Sequence, residues 1–421
     1  MRSVVLPVCL LSATLAVAAP RPGTVVAPGT LAKSTCIDCH SQLDDATLNA
    51  PARAAAEDIH YQQGVTCAGC HGGDPTAADP EAAMDPRKGF VGSFTPQAVP
   101  PMCGSCHSDS TFMLTYAPNI PTDQLSQYRT SKHGLALAKG DHNVATCISC
   151  HGAHGIRAPK DARSPVFPTH VVATCGKCHG NAALMKPYGI SGKEVADYER
   201  SVHYAALTKR SDLSAPTCPS CHGAHGATPP GVASVASVCG TCHVTQEQLF
   251  DGSPHKAAFA AIDQPSCEAC HSNHAILNPS DSWIGVGKGQ VCGDCHEAGD
   301  AGGRTAQAIA AAISGATAAE TAARARVDKV EKAGMLMEDA EVKLESTHQA
   351  LVLARNAIHT VSEATITEHT KAADADTSAA DAMAAKAEKD LHFRRRGLFI
   401  SLGIILVAIV ALVVKIRQMG A

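Results

Sequence analysis

The sequence predicts a fold that is mostly α and irregular. It should comprise a cysteine-rich N-terminal region packed around something other than apolar side chains, a long α-helical hairpin, and one C-terminal transmembrane helix. Three observations carry this. All 24 prolines and all 19 cysteines of the 421-residue chain lie before residue 300, so the two parts are built differently. Aromatic residues make up only 4 % of the chain, too few for a conventional apolar core in a Gly-, Pro- and Ala-rich segment of this length. From about Arg304 onward Ala, Glu, Lys and Thr dominate, a composition that favours helix and leaves only glycine to break it. The formal net charge of −4 gives no basic face for nucleic acid, and that class of partner is set aside.

Arg2, the apolar stretch Val4 to Val17 and the small residues before Ala19 read as a signal peptide over 1–18. Cys9 falls inside that stretch and reads as an ordinary apolar residue removed with it. The mature chain is then expected outside the cytoplasm.

The other 18 cysteines all fall into the pattern CxxCH. The copies are Cys36, Cys39 and His40; Cys67, Cys70 and His71; Cys103, Cys106 and His107; Cys147, Cys150 and His151; Cys175, Cys178 and His179; Cys218, Cys221 and His222; Cys239, Cys242 and His243; Cys267, Cys270 and His271; and Cys292, Cys295 and His296. Residues at i, i+3 and i+4 share one face of a helical turn. Two thiols can therefore join the two vinyl positions of one porphyrin while the imidazole reaches its iron. CxxC pairs also build zinc sites, and even cysteine counts in exported proteins build disulfides, but neither needs a histidine after every pair. The nine copies read as nine covalent haem attachments, and the haems would supply the missing core.

These residues carry a resemblance. Over about 30–300 the chain resembles the periplasmic multihaem c-type cytochromes that have paired CxxCH motifs. The resemblance implies a haem-packed domain over 19–300, the motif histidines as proximal iron ligands, and electron transfer along a continuous haem array. Small electron carriers, quinol-oxidising subunits and nitrite or hydroxylamine enzymes share the same attachment pattern.

Aligning the motifs exposes an internal repeat of about 50 residues, with copies near 57–107, 128–179, 198–243 and 249–296. Each holds two motifs, and the motif at Cys36 stands alone in front. In the family, histidine commonly supplies the sixth iron ligand. Outside the motifs and before residue 300 the histidines are His60, His133, His142, His154, His170, His203, His225, His255 and His274, nine for nine irons. His60, His133, His203 and His255 recur upstream of the first motif of each repeat. His154, His225 and His274 lie three residues beyond a motif histidine, cannot reach the far face of the same porphyrin, and are expected to serve a neighbouring haem. His142 and His170 do not recur. Met102, Met113 and Met185 read better as gap-filling apolar residues than as sixth ligands.

In the helical region Val330, Met337, Leu344, Leu351 and Ile358 repeat by sevens, with Ala333, Ala340, Thr347, Ala354 and Val361 three residues after each. That is a coiled-coil-like seam with small second positions. A hairpin over 304–392 is expected, turning in the segment 371–381, packed on the haem domain or on a second copy in a homo-oligomer. His348, His359 and His369 are expected to stay out of the haem region. Gly397–Val414 is an uncharged apolar run of 18 residues, about 27 Å as helix and enough to span a bilayer core. Arg394, Arg395 and Arg396 precede it and Lys415 and Arg417 follow, leaving 415–421 as a short cytoplasmic tail.

The functional expectation is an electron-transfer subunit at the periplasmic face of the inner membrane. It would link a respiratory, quinol-oxidising membrane complex to periplasmic redox proteins, with quinol oxidation at the membrane surface left open. The iron carries the chemistry, so no protein acid, base or nucleophile is called for and no catalytic residue is assigned. The alternatives are a multihaem oxidoreductase acting on a small nitrogen or sulfur compound at one open iron, and a component of a conductive filament.

Overall fold

The computed structural model describes residues 34–420; the expected signal peptide and Cys9 lie outside the described residues. Helices and irregular chain account for all of it, with no strand among the described residues. The chain divides into two compact units, one formed by residues up to Val235 with His274–Ile276, the other by Ala236–Asn273 and Leu277 onward.

In the first unit, helices Thr35–His40, Cys67–His71, Val99–His107, Cys147–His151, Pro168–His179 and Cys218–His222 each end on a motif histidine. The repeat fixes where they begin. Ser149 Oγ accepts from the Thr146 N–H at 3.0 Å, and Ser220 Oγ accepts from the Thr217 N–H at 3.0 Å, so the thiols start on a capped first turn. The short helices carrying the upstream histidines are capped by Asp58, Ser131 and Ser201. Tyr128 and Tyr198 tie this segment to the next motif, donating to Ala145 O at 2.8 Å and Pro216 O at 2.7 Å. After three motif histidines the chain leaves through Gly72, Gly152 and Gly223, at φ 68°, 85° and 75° with extended ψ, a region only glycine enters without strain. Buried apolar packing is sparse, as in the small cluster of Ala206, Leu207 and Ala215.

The second unit holds the last three motifs and the long helices α1 (Ala301–Glu331), α2 (Glu338–Ala357) and α3 (Glu363–Met419). These pack as an up-down-up bundle. Ile309, Ile313, Ala357 and Ile366 meet Ile284 at one end, Ala316, Leu351 and Ala373 meet midway, and Val327, Val330, Met337, Leu344, Ala380 and Ala384 meet at the other. The expected turn at 371–381 is continuous helix, because Ala373, Thr377 and Ala380 are buried at helical spacing. The turns fall instead at Lys332–Met337 and Ile358–Ser362, where Gly334 and Val361 take left-handed backbone. The seven-residue seam thus crosses a turn between Val330 and Met337. Small second positions bring α2 and α3 close: the buried Thr347 and Thr377 hydroxyls lie 3.2 Å apart. Ion pairs from Arg326 to Asp381 and Glu388, and from Lys343 to Asp376, edge the bundle.

α3 runs on without a break into the apolar run, whose side chains are all exposed, and it is long and apolar enough to cross a membrane.

Candidate haem sites

Each motif brings two thiols and an imidazole to one side of a turn, and several ring nitrogens are already oriented by the chain. His71 Nδ1 donates to Val91 O at 2.8 Å and His40 Nδ1 to Leu48 O at 3.3 Å. His296 Nδ1 lies 3.3 Å from Asp300, the same carboxylate that caps α1 through the Gly303 N–H. Among the other histidines, His60 Nδ1 lies 3.2 Å from Asp58 and His359 Nδ1 donates to Asn356 O at 2.9 Å. A bond at Nδ1 leaves Nε2 as the metal-binding nitrogen and fixes the ring's direction.

The imidazoles face one another in pairs. In the first unit His60 faces His107 at 5.9 Å between ring centres, His154 faces His71 at 6.0 Å, His133 faces His179 at 6.1 Å, His225 faces His151 at 6.1 Å and His274 faces His222 at 5.8 Å. In the second, His255 faces His296 at 6.1 Å and His359 faces His271 at 6.1 Å. A metal held at about 2 Å by a ring nitrogen on each side, each nitrogen about 1.1 Å from its ring centre, needs centres about 6.2 Å apart. Seven pairs clustered within a few tenths of that separation fit an iron between them. No group of three or more His, Cys, Asp or Glu side chains among the described residues converges as a metal-ion site.

The pairs follow a rule. In three of the four repeats the upstream histidine faces the repeat's second motif. The histidine three residues beyond a motif faces the motif two places earlier. His203 has the position of His60, His133 and His255 in its repeat, and both His203 and His243 are engaged by neighbours.

The structure departs from the nine-for-nine count in three places. His142 and His170 are exposed and face no imidazole; His170 Nδ1 donates to Ser164 O at 3.1 Å. His359, expected to stay out of the haem region, faces His271 from the turn between α2 and α3. Its signal was in the count: the rule needs a histidine beyond a tenth motif, and the chain has only nine. His40 is the third departure, with no imidazole opposite it among the described residues. Met113 and Met185 are buried in the packing and Met102 is half-buried.

Neighbouring motifs lie side by side. Cys36 sits beside Cys67, Cys103 beside Cys147, and Cys175 beside Cys218; in the second unit Cys267 sits beside Cys239. Electrostatic coupling joins Cys70 to Cys106, Cys150 to Cys178, and Cys270 to Cys292 and Cys295. The first six motifs therefore succeed one another in space in chain order, and so do the last three. Burial first, then neighbouring imidazoles, pushes His107 down to about 4 and also lowers His133, His151, His222 and His271. The rings are thus kept neutral, the form that binds metal.

Comparisons with known proteins agree with this geometry. The cytochrome c3 family model matches residues 212–297, which hold the last four motifs. The chain is 27% identical over 160 residues to the C-type polyheme cytochrome OmcC of Geobacter sulfurreducens. That match covers 36% of this chain and 19% of the relative, so the chain spans about a fifth of the relative's length. No solved structure matches. CxxCH turns, facing imidazoles at iron-bridging distance and these two matches together support a multihaem c-type cytochrome family for the chain, with covalently bound haems.

Proposed function

We propose that this chain is a membrane-anchored, nine-haem electron relay on the periplasmic side of the inner membrane, passing electrons along its motifs in chain order. The observation that carries the reading is the unbroken succession of adjacent motifs within each unit. When bound, each haem supplies a one-electron couple. The protein's part is to hold the irons of seven motifs between facing imidazoles and keep consecutive sites adjacent. No acid, base or nucleophile is needed.

The three-helix bundle bears on the partner. His359 and the Arg355 to Asp281 ion pair, whose atoms approach to 2.8 Å, place the eighth motif at the bundle end remote from the apolar run. Residues 363–396 of α3 lie between that end and the run, about 50 Å of helix at 1.5 Å per residue. The bundle is then a stalk, and the last motifs stand too far from the bilayer to take electrons from a quinol in it. A soluble or peripheral redox protein fits better as the partner at that end, in line with an inner-membrane respiratory complex acting through periplasmic carriers.

Film voltammetry of the detergent-extracted full chain tests the relay. All nine haems exchanging electrons in one connected envelope supports it; a fraction that never exchanges contradicts it.

A further inference from the structure

We propose that the haem of the first motif, held by Cys36, Cys39 and His40, has one protein ligand to its iron and an open sixth position that takes a small neutral diatomic ligand. The inference rests on the haem reading of the motifs and not on the identity of any redox partner.

The pairing rule explains why this site differs. The second motif of three of the four repeats is faced by the upstream histidine of its own repeat. The second, fourth and sixth motifs are faced by the histidine three residues beyond a later motif, and the eighth by His359. The first motif lies outside the four repeats, and none of residues 1–33 is a histidine. Seven motif histidines face an imidazole, and His243 is engaged by its own neighbours. His40 faces none among the described residues. Its ring is nonetheless set as a ligand, with Nδ1 donating to Leu48 O at 3.3 Å and Nε2 left for the metal.

Two further features favour a working site. Cys36 lies beside Cys67, so the first haem adjoins the second and occupies an end of the series, where electrons enter or leave. His40 is half-exposed and Cys39 exposed, so the site is reached from solvent. The class of ligand follows from the iron and its surroundings. A ferrous haem with a single imidazole binds π-acceptors such as carbon monoxide and nitric oxide, and the carboxylates of Asp38, Asp44 and Asp45 in the same short segment weigh against an anion.

The test is carbon monoxide titration of the reduced full chain in detergent, followed by absorption, with the haem count fixed beforehand by intact mass. One carbon monoxide per nine-haem chain is expected. It should disappear in a C36A/C39A variant that is one haem lighter, and persist unchanged in H142A and H170A. Should the double variant fail to mature, the oxidised wild type serves instead, with a high-spin ferric resonance from one haem in nine. No carbon monoxide binding by the nine-haem wild type overturns the proposal. So does binding that appears only in H142A or H170A, which would assign that histidine, from this copy or a second one, as the sixth ligand. Binding that survives loss of the first haem places the open iron elsewhere and also overturns it. A mass without the first haem would instead refute the haem reading of that motif, separately from the question of its ligand.

Discussion

At the scale of residues, the CxxCH turns could be read from the sequence because the chemistry they suit is local: two thiols and an imidazole must share one turn. The sixth ligands were legible only where the repeat displayed them. His359 should open the iron held by His271 when replaced by alanine, so H359A is expected to gain one carbon monoxide-binding haem over wild type; an unchanged titration would remove His359 from the ligand set. Its place opposite His271 was not legible in the sequence because it belongs to no repeat and is set by a helix turn that composition does not locate. Ser272 is a second informative residue. It follows His271 where other motifs have Gly72, Gly152 or Gly223, and it holds φ at 63° with ψ at −172°. S272G is expected to raise stability by about 1 kcal/mol by relieving that backbone, seen as a higher melting temperature; no rise would mean that the position is not strained.

At the scale of elements, the stalk behaves as an ordinary small-residue helix bundle, and its stability should be conventional. Leu351 is fully buried between α1 and α3, so L351A should cost roughly 2 to 5 kcal/mol, read from denaturant unfolding followed by helical circular dichroism. The ion pair of Arg355 with Asp281 joins the bundle to the loop after the eighth motif. The guanidinium hydrogen bond holds the Asp281 carboxyl below its ordinary 3.8. A depressed carboxylate stabilises the folded state above the unfolded value and loses that contribution as pH falls through the folded one. Acidification from about pH 4 downward should therefore weaken the wild type more than R355A, and the variant itself should lose roughly 1 kcal/mol near neutrality. Equal acid sensitivity of the two would show that the pair contributes nothing. The sequence revealed that helices follow residue 300 because proline and cysteine vanish there. It misplaced the turn because the thinning of apolar residues in 371–381 reflects alanine packing closely against two neighbours, and not a break in helix.

At the scale of the whole molecule, the account joins covalent haems, a membrane-crossing helix and a stalk between them. If the stalk sets the height of the last motifs, a long-chain isoprenoid quinol confined to liposomes should reduce the reconstituted protein slowly. A soluble low-potential donor should reduce it fast. Rapid reduction by the quinol would contradict the assignment of the partner while leaving the haem sites standing. The central claim is that all nine motifs carry haem, and the intact mass of the protein extracted from its membrane tests it most directly. The account predicts the mass of the polypeptide plus nine covalently attached haems, and a smaller number, or bound zinc in their place, would contradict it.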